Sequence, residues 1–361
     1  MEQFKTTHKL LVQACLSTNK EEQQALVSEW ENLVAMDHLD NGSMRLAPLF
    51  FHKNQLAGIA TKHDKRLKIL YKYWWLKTNH ILNQVGQVYK VLNDNGIKAV
   101  LIKGTAIITR YEKPELRPMA DFDLLIKPAN VQPALKILRG LGYSANEVSA
   151  AMLDLNPASA FEFDHAIDLV HTMTDTKFDL HWQMGSLCST KFTDDLWLNV
   201  TDSHLVPGAI KPALVYEAYF IIIHAITSGG WDNLNWIIDV NLLNLTPRDW
   251  DAVRKLAAAE KKEDLFNHAC CILLTHGVAA PPSQKTKSPK LPWIISEKSA
   301  AAMSRPRLFT LRLLNIFRYA KYLFPYSTVT GKLYNSFRRN SFKRSKAKCY
   351  LNMMSVSKPR R

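Results

Sequence analysis

The hydrophobic period of the chain changes near residue 96, and this change constrains the fold more than any other feature. Before it, apolar residues recur at helical spacing. After it, IKAVLIKG (97–104) and ADFDLLIK (120–127) are short apolar runs of the kind that form strands. Two further runs, HAIDLVH (165–171) and KFDLHWQM (177–184), flank the short loop TMTDT, which favours an antiparallel pair. The centre of the chain therefore predicts a small sheet.

Helical spacing on both sides of this centre predicts an α+β fold, in which a small mixed β-sheet core is flanked by N- and C-terminal helical segments. One apolar stripe precedes the Asn95-Gly96 stop signal and consists of Leu67, Leu70, Trp74, Ile81, Val85, Val88 and Leu92. We predict four regions: a helical region 1–95, an α/β core 96–190, a second helical region 191–280, and a linker with a basic amphipathic tail 281–361.

The positive charge of the chain is concentrated at its C-terminal end. The formal net charge is +15 at pH 7, but residues 285–361 contain 19 of the 47 Lys and Arg residues and one of the 32 acidic residues, Glu297. The remaining 28 basic and 31 acidic residues leave the body at −3. The five cysteines lack metal-type spacing, and the N-terminal residues lack a signal-like apolar run. We therefore expect a reduced, cytoplasmic protein.

Two aspartates stand one residue apart in the strand-like run ADFDLLIK. Side chains at positions i and i+2 of a strand point to one face, so Asp121 and Asp123 should project together, away from an apolar face formed by Phe122 and Leu124. Two adjacent carboxylates repel unless a cation lies between them. Mg²⁺, which binds through one or two carboxylates and substrate phosphates, would remove this repulsion. A solvated strand edge is the alternative for such a short motif.

A possible phosphate site precedes the aspartates. Lys103, Gly104 and Thr105 lie where a strand ends and a helix-like segment begins, and such a turn presents backbone N–H groups and a positive helix end. Glycine permits close approach, the threonine has a hydroxyl and the lysine has a charge. Arg117, four residues before Asp121, has two possible partners: a phosphate or a core carboxylate. An ordinary strand-to-helix turn remains the alternative for the Lys-Gly-Thr motif.

Together, these segments resemble the nucleotidyltransferase superfamily to which DNA polymerase β belongs, in which a Gly-Ser/Thr turn opens a helix and a strand with Asp-x-Asp follows. LIKG and RPMADFDLLI are most similar to a family of uncharacterised nucleotidyltransferases that are often encoded beside bacterial surface-polysaccharide genes. The resemblance extends over residues 8–280, through segments such as EWENLVAMDHLDNGSMRLAPLFFHKNQL, FDLHWQM and HAITSGGWDNLNWIIDV. It implies a nucleotidyltransferase α/β core.

The resemblance also implies a third carboxylate on a neighbouring strand. Asp179 in FDLHW matches the family's Asp-Leu-His-Trp element, and Asp168 in AIDLVH is a rival in the other arm of the hairpin. The role of this carboxylate would be that of a general base, or of a ligand of the catalytic metal. His181 lies on the same strand face. A hydrogen bond within the sheet is the simpler interpretation for it, because Mg²⁺ favours oxygen ligands.

The reaction that the resemblance implies is transfer of a nucleoside monophosphate from a nucleoside triphosphate to an unidentified hydroxyl acceptor. Asp121, Asp123 and Asp179 would be the catalytic and metal-binding residues, with Mg²⁺ or alternatively Mn²⁺. Lys103, Gly104, Thr105 and Arg117 would bind the phosphates. Surface polysaccharide biosynthesis is suggested only by the family's genomic company. Because most active superfamily members have Gly-Ser where this chain has Gly104-Thr105, a catalytically silent binding or scaffold protein is the alternative.

The tail has a pattern of its own. In RPRLFTLRLLNIFRYAKYLFPY, apolar residues cluster on one side of a helix and basic residues on the other, and SFRRNSFKRSKAK adds a charge run. Residues 305–361 therefore suggest a peripheral contact with an anionic membrane surface, at the inner face of the membrane. RNA is a second possible partner, which would make the protein an RNA-directed nucleotide-adding enzyme. A helix docked on the body, followed by a solubilising end, is a further interpretation, which ranks after the membrane contact and before RNA.

Overall fold

The centre of the molecule is a seven-stranded mixed sheet. It is seen in a computed structural model, which describes residues 6–145, 147–155, 157–185, 188–227 and 233–282. The strands are β1 (Ala99–Leu101), β2 (Asp121–Ile126), β3 (Tyr143–Ala145), β4 (Ala166–His171), β5 (Lys177–His181), β6 (Val200–Asp202) and β7 (Ile210–Pro212). Helices precede and follow the strands along the chain, which confirms the predicted α+β architecture.

The strand order is β3-β4-β5-β2-β1-β7-β6. β2 is parallel to β5 and antiparallel to β1, while β4 and β5 form the predicted antiparallel pair. β1 is also parallel to β7, which pairs with β6. These last two strands lie inside the region 191–280 that was predicted to be helical, so the sheet extends beyond the predicted core. Strands of three residues are too short to show a period in the sequence.

Four helices precede the sheet: α1 (Thr6–Leu16), α2 (Lys20–Leu33), α3 (Asn41–Ala57) and α4 (Asp64–Asp94). The apolar stripe predicted for α4 forms its inner face, because all of its members except Leu70 are buried. Local signals set the helix ends: the Asn19 side chain accepts a hydrogen bond from the Glu22 N–H at the start of α2, and Gly58 ends α3 in the left-handed conformation.

The remaining helices connect and cover the strands. Within the core they are α5 (Gly104–Ile107), α6 (Val131–Gly140), α7 (Glu147–Leu155) and α8 (Pro157–Phe163), with short 3₁₀ segments at 108–110, 114–116 and 128–130. After β5 they are α9 (Thr190–Leu198), α10 (Leu214–Thr227), α11 (Asn235–Leu243), α12 (Pro247–Ala259) and α13 (Glu263–Thr275). The crossover helix predicted between Pro128 and Tyr143 is α6.

The sheet separates two hydrophobic cores. On one face, Phe122, Leu124 and Ile126 pack with the C-terminal half of α4 and with α6, and the Phe122 and Phe178 rings stack with centroids 4.4 Å apart. On the other face, Leu125 belongs to the core formed by the N-terminal helices and by α10 to α13. The strand alternation of β2 therefore directs Asp121 and Asp123 towards this second, helical layer.

Among the described residues, no helix is both long enough and apolar enough to cross a membrane. The predicted linker and basic tail, from residue 283 to the end, lie outside the described residues, and with them the predicted membrane or RNA contact of residues 305–361.

Candidate metal and nucleotide site

Three aspartates form one row across three neighbouring strands. Asp123 on β2 is the direct partner of Asp179 on β5, which is in turn the direct partner of Asp168 on β4. Side chains of direct partners lie on the same face of a sheet. Asp123 is buried, Asp179 is half-buried and Asp168 is exposed at the outer end of the row. The structure thus brings together two of the predicted carboxylates, and Asp179 rather than its rival is next to Asp123.

Asp123, Asp179 and His181 form a group that could hold a metal ion. Each offers one ligand atom, and these atoms lie within 4.8 Å of one another. Asp121, at the exposed start of β2, is not a member of this group. Two carboxylates and an imidazole suit Mn²⁺ as well as Mg²⁺, because imidazole is a common ligand of the softer transition-metal ions.

His181 is held in an orientation that is common for a metal-ligating histidine. Its Nδ1 lies 3.2 Å from the Gln183 carbonyl oxygen, and its Nε2 lies 2.9 Å from Asp123 Oδ1. Both partners are acceptors, whereas a neutral ring has a single N–H to donate. In the metal-free protein a proton on Nε2 donates to Asp123 Oδ1, whereas ligation of a metal by Nε2 would need the other tautomer, in which Nδ1–H donates to the Gln183 carbonyl oxygen. The predicted hydrogen bonding within the sheet is present, and it leaves ligation by Nε2 open.

Lys103 supplies the positive charge inside the carboxylate group. Its Nζ lies 2.5 Å from Asp123 Oδ1, in a pair that is largely shielded from solvent. Burial alone would raise the pKa of Asp123, but Lys103 and His181 outweigh it and hold that pKa well below its usual range. Burial lowers the pKa of Lys103, and the attraction of Asp123 more than compensates, so the net shift is upward.

The other two carboxyl groups respond in the opposite direction. Burial and the negative charge of Asp123 raise the pKa of Asp179 from 3.8 to about 7. Asp121 is an exposed residue, yet its carboxyl group is partly screened by surrounding protein, and this screening and Asp123 raise its pKa. Asp179 is therefore a carboxyl group that exchanges its proton near neutral pH, which is the range required of a general base.

The turn before α5 is strained at Lys103. This residue has φ 53° and ψ −124°, a conformation that costs a non-glycine residue roughly 1–3 kcal/mol. The Thr105 side chain is fully buried, and its hydroxyl donates to the Ile102 and Asp123 carbonyl oxygens at 2.7 and 3.3 Å. The expected phosphate contact of the Thr105 hydroxyl is therefore corrected: the buried hydroxyl holds the turn against β2.

Gly104 is required at its position because Arg117 packs against it. A Cβ atom on Gly104 would lie 2.7 Å from Arg117 Nη1. The other two guanidinium nitrogens of Arg117, Nε and Nη2, donate to Asp239 on α11 at 2.9 and 2.8 Å, and Tyr111 donates to the same carboxylate at 2.7 Å. Of the two partners that the sequence left open for Arg117, the structure shows the core carboxylate. The pairing with Asp239 outweighs the effect of burial and raises the pKa of Arg117.

Two residues at the site were not predicted from the sequence. Arg45 on α3 lies near Asp121 and Arg117, and its buried Nε has no hydrogen-bond partner among the described residues. Burial and the neighbouring Arg117 lower its pKa, while Asp121 opposes the shift. His224 on α10 lies near enough to Lys103 and Asp123 to feel their charges, and burial and Lys103 lower its pKa to about 3. Both residues come from the helical layer, so only tertiary packing brings them to the sheet.

Comparison with known proteins identifies the family. A family model described as an uncharacterised nucleotidyltransferase matches residues 28–277, which contain the sheet, the carboxylate row and Arg45. A comparison with curated proteins finds no match.

Proposed function

The chain belongs to the uncharacterised nucleotidyltransferase family, and on that basis we propose that it is a divalent-metal-dependent enzyme that transfers a nucleoside monophosphate from a nucleoside triphosphate to a hydroxyl acceptor. The observation that carries this proposal is the placement of Asp123 and Asp179 on adjacent parallel strands, within metal-bridging reach of each other and of His181.

Asp123, Asp179 and His181 would hold the metal, and Asp121 would serve as a further ligand at the solvent-exposed end of β2. When bound, Mg²⁺ or Mn²⁺ would neutralise charge on the attacking and leaving oxygens. The residues fit such an ion because the net charge of the carboxylate group is negative even with Lys103 present, and because His181 Nε2 faces the carboxylates.

The triphosphate would be bound by groups that surround the turn before α5. Lys103 now neutralises Asp123, and we propose that the same ammonium group binds phosphate in the nucleotide complex. The backbone N–H groups of Gly104 and Thr105 would add donors at the start of α5. Arg117 would act mainly by positioning, since Asp239 holds its guanidinium against Gly104. Arg45 would contribute a charge that no described acidic group binds directly.

Asp179 would accept the proton of the acceptor hydroxyl. The hydroxyl oxygen would form a bond to the α-phosphorus while the bond from that phosphorus to the bridging α–β oxygen breaks, and pyrophosphate would leave. In the metal-free protein burial and Asp123 raise the pKa of Asp179 to about 7, whereas a bound metal would keep this carboxylate deprotonated and ready to accept the proton. The residues permit a glycan, a lipid-linked intermediate, a protein hydroxyl or a small metabolite as acceptor, and a polysaccharide role rests on the family resemblance alone.

Calorimetric titration of the full chain with nucleoside triphosphate and Mg²⁺ or Mn²⁺ tests the proposal without knowledge of the acceptor. We expect metal-dependent nucleotide binding by the wild type and by Asp168→Asn, whose side chain lies outside the metal-capable group. Asp123→Asn and Asp179→Asn should bind at least about tenfold more weakly. Equal affinity in all four proteins would contradict the proposal.

One observation favours a second candidate, a catalytically silent nucleotidyltransferase fold with a binding or scaffold role. Lys103 already neutralises Asp123, so the carboxylate group is stabilised by the chain itself. In that case no protein in the same titration, including the wild type, would bind metal and nucleotide. Labelled nucleoside triphosphate incubated with a cell extract would then give no product that depends on Asp121, Asp123 or Asp179.

A further inference from the structure

The outer face of helix α4 carries an apolar stripe that no described residue covers. Ile69, Tyr73 and Leu76 are 66%, 51% and 64% exposed. Their spacings of four and three residues place them on one line along the helix. Trp75, which is 46% exposed, lies about 100° around the helix from Leu76, beyond Lys72. Single exposed apolar residues are ordinary, but three of them in line on one helix form a stripe of the kind that marks an interaction site.

Basic residues flank this stripe, and acidic residues are absent from the helix around it. At 100° per residue, Lys68 and Lys72 lie on one side of the stripe and Lys77 on the other, where its ammonium lies 6.0 Å from the centre of the Tyr73 ring. Between Asp64 and Asp94 the sequence contains six basic residues and no acidic one. From other elements, Asp37 reaches this helix and pairs with Arg66 at 2.8 Å.

The charge of the stripe's surroundings decides which partner fits. A second copy of the same face and the basic tail of this chain would both bring positive charge against the lysines, so neither is complementary. Single-stranded RNA matches the charge but not the aliphatic side chains, because RNA-binding surfaces rely on aromatic stacking and hydrogen bonds. Aliphatic and aromatic residues between lysines on a helix face match an anionic lipid surface, where the apolar groups insert and the lysines meet the head groups.

We propose that the face of α4 formed by Ile69, Tyr73 and Leu76, with Lys68, Lys72 and Lys77 beside them and Trp75 at its edge, docks on an anionic membrane surface. This inference is independent of the proposed reaction. The helix is also tied to the candidate site, since Tyr71 donates to Glu115 at 2.7 Å and the Thr78 hydroxyl accepts from the Met119 N–H at 3.4 Å. Arg117 lies in sequence between Glu115 and Met119, the two residues that α4 contacts. Docking through α4 would therefore hold the loop that contains Arg117 close to the membrane.

An environment-sensitive fluorophore on the full chain tests this surface separately from the basic tail. The label is attached to cysteine in Leu76→Cys, with Leu198→Cys on α9, which is 84% exposed, as the matched control. Cys271→Ser and Cys349→Ser remove competing thiols, because Cys15, Cys188 and Cys270 are buried. Vesicles of phosphatidylcholine with one-third phosphatidylglycerol are compared with pure phosphatidylcholine and with single-stranded RNA.

We expect the label at position 76 to shift to the blue with the anionic vesicles only, and the label at position 198 to stay unchanged. Lys68→Glu with Lys72→Glu should weaken the vesicle affinity reported at position 76 more than about tenfold. The same charge change in Lys98→Glu with Lys136→Glu, at exposed positions away from the stripe, should have a much smaller effect. Two results would overturn the proposal. In the first, a flotation assay shows that the chain binds anionic vesicles but the emission of the label at position 76 does not shift. In the second, that emission shifts with RNA and not with the vesicles.

Discussion

Asp123 and Asp179 are direct partners on two parallel strands, and their carboxyl groups have pKa values shifted in opposite directions. Asp123 contacts Lys103 and His181, which keep it ionised. For Asp179, burial together with the charge of Asp123 outweighs the attraction of Lys103 and raises the pKa to about 7. Two neighbouring carboxyl groups with separated pKa values are typical of sites that carry out acid–base chemistry.

Divalent metal affinity should therefore depend on pH below about 7. A metal-bound Asp179 is deprotonated, so metal binding at lower pH must release the Asp179 proton, and the apparent Kd should rise up to about tenfold per pH unit. His181 contributes little to this dependence near neutral pH, because burial and Lys103 lower its pKa. Calorimetric Mn²⁺ titrations in buffers of different ionisation enthalpy would measure nearly one proton released at pH 6 and few at pH 8. An affinity that is constant from pH 6 to pH 8 would contradict this assignment.

The free energy of unfolding of the metal-free protein should respond to Asp179→Asn in a pH-dependent way. Because the folded pKa of Asp179 is about 7 and its ordinary value is 3.8, the folded state binds the proton more tightly, and the contribution of Asp179 to stability is lost as pH rises from about 4 to about 7. Asp179→Asn removes this loss.

At pH 8 with EDTA, urea unfolding should show the variant to be more stable by about 1–2 kcal/mol, a value discounted because the carboxyl group still contacts solvent. The difference should shrink towards zero near pH 4. Asp175→Asn changes the same charge in the exposed loop between β4 and β5 and should show no such dependence. A variant less stable than the wild type at pH 8 would show that Asp179 is stabilising as a carboxylate.

The sequence could predict that Asp121 and Asp123 share one strand face, because strand alternation is local. A period of two residues in ADFDLLI determines which face Asp121 and Asp123 share, and only the family resemblance placed Asp179 on a neighbouring strand. The sequence could not distinguish Asp179 from Asp168 without the family resemblance. That choice depends on the parallel register between β2 and β5, which is a long-range property.

The rest of the site depends on contacts between distant parts of the chain. No local signal indicates that Arg45 on α3 reaches the sheet, or that Asp239 on α11 pairs with Arg117. The Thr105 hydroxyl was assigned to a phosphate because it lies in a strand-to-helix turn beside Gly104, but here the turn packs against β2 and the hydroxyl is used there. The three-residue strands β6 and β7 were missed because they are too short to show a period.

Gly104→Ala should destabilise the protein and loosen the pairing of Arg117 with Asp239. The new methyl group would lie 2.7 Å from Arg117 Nη1, so the guanidinium must move away from Asp239. We expect the free energy of unfolding to fall by about 1–3 kcal/mol, measured by urea denaturation. Gly86→Ala on α4 is the matched control, because a Cβ atom there meets nothing within 4 Å. It should stabilise the helix by up to about 1 kcal/mol, and a similar loss in both variants would refute the explanation.

Arg45→Met should weaken nucleoside triphosphate binding without reducing stability. Methionine keeps an apolar stem of similar length and removes the guanidinium group. Burial and Arg117 lower the pKa of that group, which means that its charged form is disfavoured in the folded protein, so the melting temperature should be unchanged or slightly higher. If Arg45 binds phosphate, calorimetry should give an affinity for the triphosphate at least about tenfold weaker, with a smaller loss for the nucleoside monophosphate. Arg139→Met, at an exposed position on α6, controls for the change in net charge. Unchanged triphosphate affinity in Arg45→Met would restrict phosphate binding to Lys103 and the turn before α5.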